Sequence, residues 1–590
     1  MARALLVIVV VGLLAAAPGF AQTVLYVNGE QTTGANTGAS WADAFRGAGA
    51  LQRGLEVAGA PGAGAPVVEV WVARGTYVPS ARTDAGQALS VTFRLRSRVQ
   101  LYGGFVGTER ARPERNPRRN PTVLSGVLGP GPAERAWHVV TTGGTDETCV
   151  LDGLVVRDGY ATDNGSGGGA GQGAGIYNVG GSPVVRDCSI VNNRIGFPPQ
   201  GQTPLGGGVY TLGGSPRFVG CEFRGNGGGC EGGGLWGDAT LIGCSFVGNT
   251  AGGQYGAGGA VNGNCFISGC VFRNNFGKFG AGAVQGTGTI EDCVFEANHA
   301  GHGGAALSGS FTVMRSVFKN NEGWVSPQVS GTLFVECSFI SNRGDYSAPV
   351  RGDTFLRCRF DGNVGTPAYG VSITTRAENC LFTRNGTVSV GGGGAVTSCT
   401  FIENMAPQLS TGVSAASTVT NCILWGSGSP PSQSGQIGGS FVVRYSCIQG
   451  WDGSLGGVAN FGADPMLDAE GRPLPLSPCI DAGDGTALAA GAATDILGQP
   501  RRVDDAGMPN TGVGVPPVDI GAVEFQGTSC YANCDGSVAA PVLNVGDLGC
   551  FVQRFAQGSP YANCDGSSAP PVLNIADFAC FLQRFQEGCP

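Results

Sequence analysis

Charge is scarce in this chain, and lysine scarcer still. Only 13% of its 590 residues are charged, and Lys278 and Lys319 are its only lysines. A net charge of -8 without a basic run excludes nucleic acid as a partner, because phosphate binding needs clustered Lys and Arg. Long apolar runs are missing too. The one uniformly apolar stretch, Ala4 to Ala17, falls short of the ~18 residues that a membrane-spanning helix needs. Preceded by Arg3 and followed by Gly19-Phe20-Ala21, it reads instead as a secretory signal over residues 1–21, cleaved before Gln22. A secreted, extracellular or cell-surface protein without a transmembrane segment is therefore expected. With 42% hydrophobic residues the chain is not a disordered one.

What is abundant is glycine, 105 residues, more than twice the ordinary share of about 7%. It punctuates a repeat. Cys188-Ser-Ile190-Val-Asn-Asn193 returns as Cys221-Glu-Phe223-Arg-Gly-Asn226, Cys244-Ser-Phe246-Val-Gly-Asn249 and Cys270-Val-Phe272-Arg-Asn-Asn275. The phrase continues through Phe295 and Asn298, Phe318 and Asn321 (Ser316 replacing Cys), Phe339 and Asn342, and Phe360 and Asn363. Phe382 and Asn385, then Phe401 and Asn404, complete it. Cys422 and Cys447 keep the spacing without the Asn. A period of about two dozen residues lies in the range of solenoid repeats.

Cys and the aromatic stand two apart, so in a strand both point to one face, which the constancy of the phrase marks as the interior. Parallel coils stacked at about 4.8 Å place Phe over Phe and Cys over Cys. The Asn ends the strand, since it tolerates the left-handed region, and stacked amides bond from coil to coil. Glycine-rich turns precede each first strand: Gly173-Ala-Gly-Ile176, Gly206-Gly-Gly-Val209, Gly232-Gly-Gly-Leu235 and Gly258-Gly-Ala-Val261. The alternation of this phrase with FxxN resembles the polymorphic outer membrane protein repeats of bacterial surface proteins and adhesins, over roughly residues 170 to 405. The expected fold is all-β: a right-handed parallel β-helix, a pectin lyase-like solenoid.

The flanks divide the chain further. Residues 22–145 are expected to hold an N-terminal cap and the first coils, with a strand at Val24 to Asn28 and an amphipathic helix from Ser40 through Leu55. The repeat core covers 146–450. Residues 451–526, with Ser477-Pro478-Cys-Ile480-Asp481 and Val518-Asp519-Ile-Gly521, resemble the closing segment of secreted β-helices and are expected to cap the solenoid.

Residues 527–590 are a duplication. Tyr531-Ala-Asn-Cys-Asp-Gly-Ser537 recurs 30 residues on as Tyr561-Ala-Asn-Cys-Asp-Gly-Ser567. Each copy continues into helical spacing: Leu548, Phe551, Val552 and Phe555, then Phe578, Phe581, Leu582 and Phe585. Calcium takes six to eight oxygens, and Asn533, Asp535, Ser537, Asn544 and Asp547 offer such donors, as do Asn563, Asp565, Ser567, Asn574 and Asp577. The module resembles the dockerin domain, which implies calcium as cofactor and a cohesin-like or other anchoring partner. It departs from that family at Tyr531 and Tyr561, where Asp is usual, and by five extra residues in each loop (Val538 to Val542, Ser568 to Val572). The alternative is a cystine-stapled helix pair in which Asp547 and Asp577 serve as helix caps. Repeat symmetry suggests the pairs Cys534 with Cys550, Cys564 with Cys580 and Cys530 with Cys589, among the fifteen connectivities six cysteines allow. The eleven ladder cysteines, without histidine, read as small buried residues rather than metal ligands.

Catalysis has no clear seat in the sequence. Gly301-His302-Gly303 is similar to a phrase of polygalacturonases, yet the paired Asp and the Arg-x-Lys of that family are absent nearby. One row is suggestive of binding: Tyr177, Tyr210, Trp236, Asn262, Gln285 and Ser308 each follow the inward aliphatic of a coil and are expected to face outward together. Stacked aromatics beside amides suit a sugar chain, without a carboxylate pair to cleave it. The reading is a binding or adhesion protein for a carbohydrate or surface ligand, held to a partner through its tail. The alternative is a polysaccharide lyase or glycoside hydrolase carrying the same tail.

Overall fold

The computed structural model describes residues 23–60, 66–131, 134–162, 171–196, 204–253, 256–324, 329–366, 368–411, 417–428, 432–488, 493–505, 508–526, 532, 534, 543–559, 562–564, 567 and 571–587. The leader expected at 1–21 lies outside them. No helix among the described residues is long and apolar enough to cross a membrane. The fold is a right-handed parallel β-helix with three sheets, and the chain divides into two compact units. These are Met1–Thr354 with Asp361–Ser372, and Phe355–Phe360 with Ile373–Pro590.

A coil of the first unit runs Val261–Ser268 on the first sheet, Val271–Arg273 on the second and Phe276–Gly277 on the third. The next coil, Val284–Glu291, Val294–Glu296 and His299–Ala300, pairs with it in parallel, residue for residue. This register stacks Phe223, Phe246, Phe272, Phe295, Phe318 and Phe339, with ring centroids 4.3 to 5.2 Å apart and planes within 10°. All are fully buried. In the second unit Phe360, Phe382 and Phe401 repeat the arrangement at 4.5 Å.

The asparagines form a continuous buried ladder. Asn226 Nδ2 donates to Asn249 Oδ1 at 3.1 Å and to the Ile190 carbonyl at 2.7 Å, while Asn226 N donates to the same Oδ1 at 3.1 Å. The pattern repeats from Asn193 to Asn363 in the first unit. It recurs in the second between Asn385 and Asn404, beyond which Gln408 takes over as acceptor. The left-handed residue is the one before each ladder asparagine, not the asparagine itself: Asn192, Gly225, Gly248, Asn274, Ala297 and Asn320 have φ between 51° and 64°. The reason is geometric. The chain must reverse before the amide can point inward, so the turn residue carries the strain while the ladder residue keeps an ordinary backbone.

The thiols are more than packing. Cys244 N donates to Cys270 Sγ and Cys270 N to Cys293 Sγ, both at 3.3 Å, and Cys293 N donates to Ser316 Oγ at 3.1 Å. Ser316 therefore replaces cysteine as an acceptor as well as by size. Cys447 departs from the column that its spacing implied. It pairs with Ile423, while Ser446 Oγ accepts from Cys422 N at 3.2 Å. The last ladder position is thus a serine one residue earlier.

Each unit also holds a flanking segment. In the first unit Thr23–Val27 pairs with Val68–Ala73, and the helix Ala50–Ala58 buries Leu51 and Leu55 against them. That helix is shorter than the expected span because residues 40–49 form turns, with Gly47 and Gly49 left-handed. In the second unit the segment expected to cap the end begins on that end, where Val458 and Phe461 bridge in parallel to Arg444 and Cys447, and its later residues contact a side of the coils. Asn379 Nδ2 donates to Thr494 O at 3.2 Å, Asn421 Nδ2 to Asp484 O at 2.9 Å, and Ala522 N to Thr400 Oγ1 at 2.9 Å. The cause is apolar. Ile423 points away from the Phe column and is buried with Cys447, Cys479, Ala482 and Ile520. Arg501, wholly buried, fastens the segment by donating to the carbonyls of Asp519 (3.1 Å) and Gly521 (2.9 Å).

Candidate functional site

The six strip residues are brought into one row. Each follows a buried aliphatic (Ile176, Val209, Leu235, Val261, Val284 and Leu307), so alternation along the strand turns it outward. The ladder pairs Tyr177 with Tyr210, Tyr210 with Trp236, Trp236 with Asn262, Asn262 with Gln285, and Gln285 with Ser308.

The rings stack along the coil axis: Tyr177 on Tyr210 at 5.4 Å and 11°, Tyr210 on Trp236 at 5.1 Å and 9°. His138 extends the stack onto Tyr177 at 4.6 Å. Ring faces therefore meet one another, and what the row turns outward is edges. Tyr210 is only 4% exposed, and the other five are half-buried. This alters the expected mode of contact. Parallel coils bring the rings so close that their neighbours already cover the apolar faces, leaving hydroxyl and amide groups as the means of recognition.

Two residues that the repeat pattern did not point to belong here. His138 is buried, with Nδ1 3.1 Å from the carbonyl of Gly173, and desolvation holds its pKa down to about 4. No glycine-rich phrase precedes it, so its register was not readable. Glu231 lies just before Gly232-Gly-Gly-Leu235 and accepts from Asn262 Nδ2 at 3.0 Å. Burial raises its pKa, against the lowering effect of hydrogen bonds from Trp236 and Asn262. A carboxylate within a glycine run was the available signal. Gln285 is likewise engaged, its Oε1 accepting from Ala281 N at 3.1 Å.

A cleft of about 930 Å³ lies elsewhere on the first unit, lined by Arg112, Arg115, Arg118, Ser189, Glu222 and Ser245 among others. Two of these arginines hold a loop in place. Arg112 pairs with Glu69 and donates to the Tyr102 hydroxyl at 2.9 Å, and Arg115 pairs with Asp152.

In the C-terminal module the helices Val545–Ala556 and Ile575–Glu587 share a core of Phe551 and Phe581, stacked at 4.2 Å, with Cys534 and Ala562. Disulfides join Cys534 to Cys550 and Cys564 to Cys580. Val552 and Leu582, placed by their spacing on the buried face, are 45% and 51% exposed, since Phe551 and Phe581 fill the space between the helices. Asn544 and Asp547 form a capping box: Asp547 Oδ2 accepts from Asn544 N at 2.8 Å, and Asn544 Oδ1 accepts from Gly546 N at 2.7 Å. Asn574 and Asp577 repeat it, with Ala576 N as the second donor. Asn563 Nδ2 donates to Ser567 O at 2.9 Å. Asn533, Asp535, Ser537, Asp565, Cys530 and Cys589 lie outside the described residues.

Residues 174–339 match the family described as a right-handed β-helix region. No curated protein matches the chain. Among solved structures, the A-module of the mannuronan C-5 epimerase AlgE6 of Azotobacter vinelandii is similar at 12% identity and a TM-score of 0.24, covering 70% of this chain and 92% of its own. Pectate lyase Pel9A is similar at 12% identity and a TM-score of 0.19, covering 85% and 96%. PfbA, a surface adhesin of Streptococcus pneumoniae, is similar at 10% identity and a TM-score of 0.22, covering 72% and 89%.

Proposed function

We propose that this is a secreted or cell-surface protein that binds a carbohydrate chain along the row Tyr177, Tyr210, Trp236, Asn262, Gln285 and Ser308, without cleaving it. The observation that carries the reading is the unbroken register of that row, one hydrogen-bonding side chain per coil over six coils. A repeating array of donors and acceptors suits a polymer whose hydroxyls repeat along its length. Affinity electrophoresis through gels containing plant and bacterial polysaccharides tests it. Retardation by at least one glycan, lost in Trp236→Ala, is the expected result; unchanged retardation of the variant on every glycan removes the strip.

One observation favours the degrading-enzyme alternative. Glu231, its pKa raised by burial, stands beside Trp236 and Asn262, and a carboxyl of that kind is suited to general acid catalysis. Incubation with polyuronides and neutral glycans, with and without calcium, separates the readings. New reducing ends or unsaturated products, lost in Glu231→Gln, establish the enzyme.

For residues 527–590 we propose calcium binding and attachment to a cohesin-like or other anchoring protein. The duplicated Asn and Asp pattern supports it, being of the hard-oxygen kind that calcium takes. Of the described donors, Asp547 and Asp577 each have one oxygen in a helix cap, so calcium there would be shared with the cap. Thermal stabilisation by calcium, and capture of a partner by the immobilised full chain only when calcium is present, are expected. No shift with excess calcium leaves the capped, disulfide-stapled helix pair.

A further inference from the structure

Charge is nearly absent from the row and its borders, and what there is has one sign. Gln172, Leu205 and Glu231 are bridged in parallel along one side of the row. Along the other side Val179, Leu212, Asp238, Asn264, Thr287 and Ser310 each follow a row residue by two places and are exposed. Glu231 and Asp238 are the only charged residues among these and the row, and they flank Trp236 on a single coil. The next coil helps to orient both carboxylates. Glu231 Oε2 accepts from Asn262 Nδ2 at 3.0 Å, and the same carboxylate accepts from the Trp236 indole. Asp238 Oδ1 accepts from Asn264 N at 3.1 Å.

Each of those donors is neutral. They aim the carboxylates without offsetting their charge, and among the described residues neither Glu231 nor Asp238 pairs with a Lys or Arg. Arg217, opposite Thr240 on the preceding coil, forms no ion pair with Asp238. Burial works further against the charge of Glu231. A polyuronide would add like charges at this coil, and a neutral chain would leave the two carboxylates uncompensated. An ammonium group supplies both the counter-charge and charge-assisted hydrogen bonds. A repeating row admits its polymer in more than one register, and an ammonium on each sugar meets the carboxylates in all of them. We infer that Glu231 and Asp238 set the specificity of the row, selecting a glycan whose sugars carry free, protonated amino groups. The inference rests on the carbohydrate reading above and adds the ligand class.

The test is isothermal titration of the full chain, at about pH 6, with a glucosamine hexamer, the same hexamer N-acetylated, a galacturonate hexamer and hexalysine. The wild type is expected to bind the amino hexamer roughly tenfold or more tightly than the other three, the scale of one hydrogen bond to a charged group. Glu231→Gln with Asp238→Asn keeps the shape of both side chains, and an unchanged melting curve confirms the fold. In that variant the amino and acetylated hexamers are expected to bind within about threefold of each other. Trp236→Ala, which tests the row itself, should weaken both. A further measurement needs no variant: raising salt from about 50 to about 500 mM should shrink the wild-type preference by screening the charges. Equal binding of the amino and acetylated hexamers by the wild type overturns the ligand class and leaves the row standing. A preference that survives in the double variant, or that ignores salt, overturns the assignment to these carboxylates. Hexalysine bound as tightly as the amino hexamer shows recognition of charge alone and overturns the glycan class. Binding of none of the four overturns it too, whereas the row then stands or falls by retardation on the wider glycan series.

Discussion

Asn298 Nδ2 donates to Asn321 Oδ1 at 3.0 Å, one coil further along the rod. The same nitrogen donates to the Phe272 carbonyl at 3.0 Å, and Asn298 Oδ1 accepts from the backbone and side-chain nitrogens of Asn275. Every polar valence of a fully buried amide is therefore used by its neighbours. Asn298→Ala leaves the backbone and side-chain donors of Asn275 without their acceptor and is expected to cost about 2 to 5 kcal/mol, by the unsatisfied groups it creates. Urea denaturation measures this; a cost below about 1 kcal/mol contradicts the ladder.

Ala297, one residue earlier, has φ 51°, where a side chain costs roughly 1 to 2 kcal/mol. Ala297→Gly removes that strain, and the greater freedom of glycine in the unfolded chain takes back part of the gain. A net stabilisation of about 0.5 to 1 kcal/mol is expected by the same denaturation measurement.

His138 gives the rod an acid limit. Its pKa is held down to about 4 by burial, against about 6.5 in an unfolded chain. As pH falls below 6.5 the unfolded state takes up the proton first, so stability is lost through the window from 6.5 to 4. The loss is at most about 3 kcal/mol. His138→Phe keeps a ring on Tyr177 without a proton to bind, and its melting temperature should fall less steeply over that window.

All fifteen free cysteines among the described residues are buried. Thiol reagents act on exposed thiolate, so the native protein should leave these fifteen unlabelled while the unfolded chain reacts at all of them. Rapid labelling of any ladder cysteine in the native protein, located by peptide mapping, contradicts the columns.

Much of this was legible because the phrase repeats. Phe at every second dozen residues names an interior column, and the Asn three later names the ladder, since each coil meets the same neighbours. What the spacing hid depends on single residues. Cys447 has the right interval from Cys422 yet sits one position late, because Ser446 supplies the acceptor that the ladder needs. The segment 451–526 starts on the last coil, through Val458 and Phe461, and only the outward apolar side chain of Ile423 shows why its later residues lie along a side. In the strip, register was readable from Ile176, Val209 and Leu235. The orientation of the rings was not, because stacking follows from coil height and ring angle rather than from order in the chain.

The proposed outer row, held in register, reads a polymer over several coils at once. The row spans about 24 Å over six coils. Titration of the full chain with a length series of an oligosaccharide from a glycan that retards it measures this directly. Affinity should rise steeply with each added sugar until the row is filled and then level off. Affinity that is already at its limit for a disaccharide, or equal at every length, contradicts it.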